Sequence, residues 1–287
     1  MCVCNDCHDE TGRYAWRMMT LPKHTKLVLA LLAFLPVFFV IAAFGTKLGI
    51  WSWQFGLLTL TFTGGMIVLG VTALTALVSL ILAARAKPRT NAPIAAAILG
   101  LAVPGAALVM FMSAGGKADE NPISDIATDT GNPPVFSAQV MAERTKSGAN
   151  PVNDYQTPLG QIEPYRERVS DELKVKSLAQ IITAKPDRPA PLPLGGAGKA
   201  EGIVAVKAAM TAMGLTDIRT DEAAGTVEGV AETFWFGFKD DIVARVGETQ
   251  IDFRSVSRVG VSDIGANTAR INDLRARTET LLGTASR

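Results

Sequence analysis

Three stretches, residues 27–46, 50–84 and 90–116, contain no charged side chain at all. Runs of twenty, thirty-five and twenty-seven such residues each exceed the roughly 18 that nominate a membrane-crossing helix. A globular core helix seldom stays uncharged for so long, and three in succession would leave no amphipathic partner to cover them. The chain is 48% hydrophobic, and the excess over an ordinary soluble protein is concentrated here. No ionisable residue interrupts the three interiors, whereas proton relays and ion pathways normally carry one near the midplane. The segments therefore read as an anchor or packing surface, not as a transporter or channel. Pro36 lies in the first, and Gly100, Pro104 and Gly105 predict a kink in the third. Ala92, Ala96 and Gly100 form a small-residue face suited to close helix contact, and Trp51 with Trp53 suits the membrane–water interface.

The basic residues fall on alternate sides of these helices. Arg13, Arg17, Lys23 and Lys26 precede the first, the first connection offers only Lys47, and the second brings Arg85, Lys87 and Arg89. The positive-inside rule then places the N-terminus and second connection in the cytoplasm and everything after the third helix outside. For a Gram-negative bacterium this means an inner-membrane protein with a periplasmic domain. The expected division is a disordered cytoplasmic leader over 1–24, a three-span region over 25–116 and an extracytoplasmic domain over 117–287. A cleaved signal peptide fits poorly, since the apolar stretch begins late and Ala42, Ala43 and Gly45 match a cleavage site weakly. Cys4, Cys7 and His8 have the C-x-x-C-H spacing of covalent haem attachment, and with Cys2 they offer four zinc ligands. Haem is attached outside, opposite to this segment, and a short leader lacks the scaffold that orients metal ligands. A disordered leader, or a true start at Met18 or Met19, is the plainer reading.

Charge and chemistry narrow the rest. Residues 1–113 carry eight Lys or Arg against three acids, and residues 114–287 carry twenty against twenty-four, so the halves are +5 and −4. The acidic half lacks the basic excess that nucleic-acid binding requires. Every histidine and cysteine lies before residue 25. The C-terminal half therefore has no imidazole and no thiol. Ser-His-Asp and Cys-His nucleophiles, thiolate or imidazole metal sites, haem ligation and disulfides are all excluded there, and no cofactor is expected.

Residues 117–198 are punctuated by ten prolines and end in PDRPAPLPLGGAG, an extended segment that either wraps the folded domain or tethers it. Asp125 and Asp129 suit a solvated turn better than calcium, because no glycine and terminal glutamate follow at loop spacing. Residues 163–182 admit a strand or a short helix. Ile203, Val206, Met210 and Met213, closed by Gly214, predict an amphipathic helix over 199–213. The preceding Gly195, Gly196 and Gly198 do not form a phosphate loop, since Pro193 and Ala200 stand where glycine and Ser/Thr are needed. Strands follow over 226–236, with Phe234, Trp235 and Phe236 read as central or covered, and around 242–246 and 249–257. A two-residue turn at Gly247 and Glu248 would set Ile242 opposite Phe253 and Asp241 opposite Arg254. A last helix buries Ile264, Ile271, Leu274 and Leu281 and pairs Asp273 with Arg277. These elements give an all-α membrane anchor of three helices followed by an α+β domain, an antiparallel sheet covered by two helices.

The best site candidate is residues 252–271, DFRSVSRVGVSDIGANTARI, where three arginines, two aspartates, three serines and an asparagine crowd one strand, turn and helix. The strand ending R-S-x-S-R, the turn G-x-S-D-x-G-x-N and the R-I helix opening, with FWFGFKDD over 234–241, resemble the DUF1499 family over residues 123–282. The resemblance implies a shared fold and carries no activity. An anion or carboxylate pocket would use Arg254, Arg258 and Arg270 as bidentate donors with Ser257, Ser262 and Asn267 beside them. The structural alternative pairs Arg254 with Asp241 and Arg258 or Arg270 with Asp263, and lets Ser262 or Asp263 cap the helix. The functional expectation is a non-catalytic, membrane-anchored module that docks another membrane protein through the last helix and this turn. A binding module for a small anionic ligand, such as a lipid head group, phosphate or sugar acid, is the rival.

Overall fold

The computed structural model describes residues 21–163 and 165–285, so Cys2, Cys4, Cys7, His8 and the alternative starts lie outside the described residues. The chain forms two compact units, Met1–Ser113 and Ala114–Arg287.

In the first unit, α1 (Lys23–Lys47) is followed by π-helical turns over Gln54–Gly64 that run without a break into α2 (Gly65–Arg85), and then by α3 (Asn91–Glu120). All three helices are long and apolar enough to cross a membrane. Of the expected small-residue face, Ala96 and Gly100 are buried and Ala92 is exposed. A Cβ on Gly100 would stand 2.7 Å from both Val28 Cγ1 and Ala76 Cβ, so three backbones approach where that side chain is missing. Trp51 does more than mark an interface. Its indole N–H donates to the Ala42 carbonyl (3.2 Å) and Thr46 Oγ1 (3.1 Å), and its ring fills the space left by Gly45 and Gly56. Thr61 and Thr72 donate back to the Gly56 and Val68 carbonyls at 2.8 Å, which satisfies hydroxyls in otherwise apolar segments.

The second unit is built on a six-stranded antiparallel sheet. Its strands are β1 (Asp125–Ala127), β2 (Leu192–Pro193), β3 (Thr216–Asp221), β4 (Thr226–Glu232), β5 (Lys239–Val246) and β6 (Gln250–Ser257), in the order β1-β6-β5-β4-β3 with β2 also on β6. The proline-rich region is thus a wrap: β1 and β2 take opposite halves of the outer edge of β6 and leave it covered. Between them lie α4 (Ala138–Lys146), α5 (Asp171–Lys174) and α6 (Leu178–Ala184), so the 163–182 segment contributes short helices rather than a strand.

Strand alternation sorts the sheet into two faces. Ile242, Ala244, Val246, Ile251 and Phe253 meet α7 (Lys199–Ala212) and α8 (Ala266–Ala285) in the main core, with Val206, Met210, Ile271 and Leu274 fully buried. Val243 and Val256 face the other way, where Phe136 and Val140 of the wrap form a small second core. Gly214, at φ +74°, closes α7 as its sequence predicts.

Three expectations are corrected. The β5–β6 turn is centred on Glu248 and Thr249, with the Gly247 amide donating to the Gln250 carbonyl, so Ile242 lies opposite Ser255 and Asp241 opposite Val256. β4 stops at Glu232, and Phe234 and Trp235 are exposed at a loop tip rather than covered. Ile264, read as part of the buried stripe, is also exposed at φ +51°, while Thr278 takes up buried space on α8.

Candidate functional site

The sheet itself separates the three arginines of the 252–271 stretch. Arg254 and Arg258 project with Asp241 from the face covered by the wrap, and Arg270 reaches from α8 to the helix-covered face. Each guanidinium meets a carboxylate of its own domain.

Arg254 is bidentate on Asp125, with Nε to Oδ1 at 3.0 Å and Nη2 to Oδ2 at 2.7 Å, and both side chains are nearly inaccessible. It also donates to the Pro134 and Asn153 carbonyls and lies 4.9 Å over the Tyr155 ring. The Tyr155 hydroxyl donates to Asp125 Oδ1 at 2.6 Å. Burial pulls the Arg254 guanidinium toward neutrality, but Asp125 and Tyr155, through charge and hydrogen bonding, together outweigh it, so its pKa is raised. Burial, then the neighbouring Asp125 charge, pushes Tyr155 well above the usual phenol range. Tyr165, which accepts from the Ser124 amide, is raised by burial to about 12. Both phenols are therefore held in the protonated form well beyond neutral pH.

Arg258 is bidentate on Asp241 (2.9 and 2.6 Å), and the hydrogen bonds it donates to that carboxylate raise its pKa. Asp241 takes a second cation, Arg144 of α4, at 2.5 Å. Arg144 goes on to the Val256, Ser257 and Asn150 carbonyls, so one side chain ties α4 to β6 and the turn beyond it.

On the opposite face, Arg270 donates to Asp240 at 2.6 Å, to Asn267 Oδ1 at 2.6 Å and to Ser255 Oγ at 3.1 Å. Asn267 is fully buried and saturated: its amide donates to the Ser124 carbonyl and Ser257 Oγ, both at 3.0 Å, and its oxygen accepts from Ser255. Asp263 accepts from the Gly265 amide (2.8 Å) and the Asn267 amide (2.7 Å) at the start of α8. Ser262 Oγ accepts from the Ile264 amide and does not reach the arginines. Burial raises the Asp263 carboxyl above its ordinary value; the two amides oppose this, Asp240 adds to it and Arg270 opposes it.

The structure therefore unites Ser257, Asp263, Asn267 and Arg270 in one cluster and Asp241 with Arg258 in another, and leaves Arg254 in a third. Sequence reasoning missed Arg144, Asp240 and Tyr155 as members and gave Asp125 only a turn role. Asp125 and Arg254 are 129 positions apart, and nothing local announces such a pair. Asp129 does behave as a turn residue, accepting from the Gly131 and Asn132 amides while its other oxygen meets Arg245.

The surface openings lie elsewhere. One groove of about 340 Å³ runs between α7 and α8 and is lined by Ala200, Val204, Ala205, Ala208, Leu281 and Leu282, with the charged Glu201 also on its wall; the rest of its surface is apolar. Val204 is 68% exposed there.

Set against known proteins, the chain matches the family model described as "Protein of unknown function (DUF1499)" over residues 125–277, more than half its length. No curated protein and no solved structure matches it.

Proposed function

The chain belongs to the DUF1499 family, and on that premise we propose that it is a non-catalytic docking module for a membrane assembly. Residues 25–116 anchor it in the cytoplasmic membrane of a bacterium, and residues 117–287 form a periplasmic head. The observation that carries this reading is the closure of the ionic network. Arg144, Arg254, Arg258 and Arg270 are each answered by Asp125, Asp240 or Asp241, and the cluster stiffens the domain instead of opening a reactive cleft. The same pairing weighs against a small anionic ligand, which would have to displace buried carboxylates from two faces of the sheet at once.

The docking surface on this reading is the apolar groove beside α8, which fits a large apolar side chain of a partner membrane protein. Purification of the full chain in mild detergent should co-isolate one protein in fixed ratio, and Val204→Asp should release it without lowering the melting temperature. Recovery of the chain alone and monomeric would overturn the proposal.

A further inference from the structure

We infer that the head makes a second contact with the phospholipid bilayer, through the β4–β5 loop (residues 233–238) and Ile264. The loop is a closed frame: the Thr233 amide donates to the Phe238 carbonyl (2.8 Å), the Gly237 amide to the Thr233 carbonyl (3.1 Å) and the Phe238 amide to Thr233 Oγ1 (2.9 Å). Phe236 stacks on Phe238 at 5.2 Å, while Phe234 and Trp235 pair edge to face at 5.1 Å and remain 66% and 53% exposed. Gly237 adopts φ +67°, a left-handed conformation that suits glycine and turns the chain back toward β5.

The end of the sheet that bears this loop names the occupant. α3, long and apolar enough to span a membrane, ends at Glu120, and by Ser124 the chain is bonded to the sheet, where its carbonyl accepts from the Ser257 amide at 2.9 Å. Next to it the Arg258 amide donates to the Lys239 carbonyl at the base of the aromatic loop. Thus the strand that receives the chain from the membrane and the hairpin tipped by Phe234 and Trp235 finish at one end of the sheet, three strand spacings or roughly 14 Å apart. Ile264, 53% exposed, belongs to this end too, since a Cβ on its neighbour Gly265 would stand 3.4 Å from Asn121, the first residue after α3. Exposed aromatic rings on a closed loop, at the end of the sheet where the chain arrives from α3, suit the headgroup–acyl boundary. The Glu248–Thr249 turn at the opposite end carries no such residues.

The contact is independent of the protein partner proposed above. Its test uses the full chain with Cys2, Cys4 and Cys7 replaced by serine, reconstituted in phosphatidylcholine–phosphatidylglycerol vesicles and spin-labelled at Phe234→Cys or, as reference, Glu248→Cys. The expected result is that the Phe234→Cys label collides with lipid-dissolved oxygen and is shielded from aqueous nickel chelate at least tenfold relative to the reference. Equal chelate access at both sites would overturn the inference. So would a Phe234→Cys label shielded from oxygen and chelate alike, which would mark a protein neighbour, including a second copy of the chain.

Discussion

At the residue scale, the stability of the head rests on carboxylates whose cations arrive from distant parts of the chain. Taking Arg254 away strands Asp125 in a site that is 2% exposed, so Arg254→Met should cost about 3–5 kcal/mol in a urea melt of the detergent-purified chain. Adding Asp125→Asn keeps an acceptor for Tyr155 and removes the stranded charge, and should return most of that loss. A double variant as unstable as the single one would mean that the cost is packing rather than charge. Asp263 works in the opposite sense. Because burial raises its folded value above the ordinary carboxylate value near ~4, the folded state holds the proton more tightly than the unfolded one. Its contribution is thus most favourable at acid pH and declines as pH rises from about 4 through the raised folded value. Asp263→Asn retains a capping oxygen and has no such titration. Melting temperatures between pH 4 and 7 should fall less steeply with pH in the variant, with neutral stability unchanged or higher; an unchanged slope would contradict the assignment.

At the element scale, close helix packing in the anchor rests on the absence of a side chain at Gly100. Gly100→Leu must push apart backbones that approach Val28 and Ala76 within 2.7 Å of a Cβ, whereas Gly105, with nothing within 4 Å of its Cβ position, should accept leucine freely. Thermal unfolding in detergent should be lowered by several degrees for the first variant and unmoved for the second. Equal effects would refute the three-helix contact. This packing was legible from the small-residue spacing, because a helix face repeats every three to four residues and needs no knowledge of its partner. The hairpin shows where such reading stops. Placing the turn one residue early shifts the β5–β6 register by two, which keeps Asp241, Arg254 and Arg258 on their correct face yet misassigns every partner. The aromatic run at 234–236 reads as buried from hydrophobicity alone. Gly237 is the local sign of a turn, but glycine does not say whether the rings before it are buried or exposed. Arg144 is invisible in the sequence because Asp241 and the Val256 and Ser257 carbonyls that it meets lie 97 to 113 positions away.

At the scale of the whole molecule, the family match, the three apolar helices and the α+β fold describe three candidate membrane spans followed by a head in which Arg254, Arg258 and Arg270 are each paired with a carboxylate. Everything in the proposed role depends on which side of the bilayer the head occupies. Protease added to intact spheroplasts, followed by blotting for a C-terminal epitope, tests this directly. The account predicts that the head is degraded at once while cytoplasmic markers survive; a head that stays whole until the cells are lysed would contradict it.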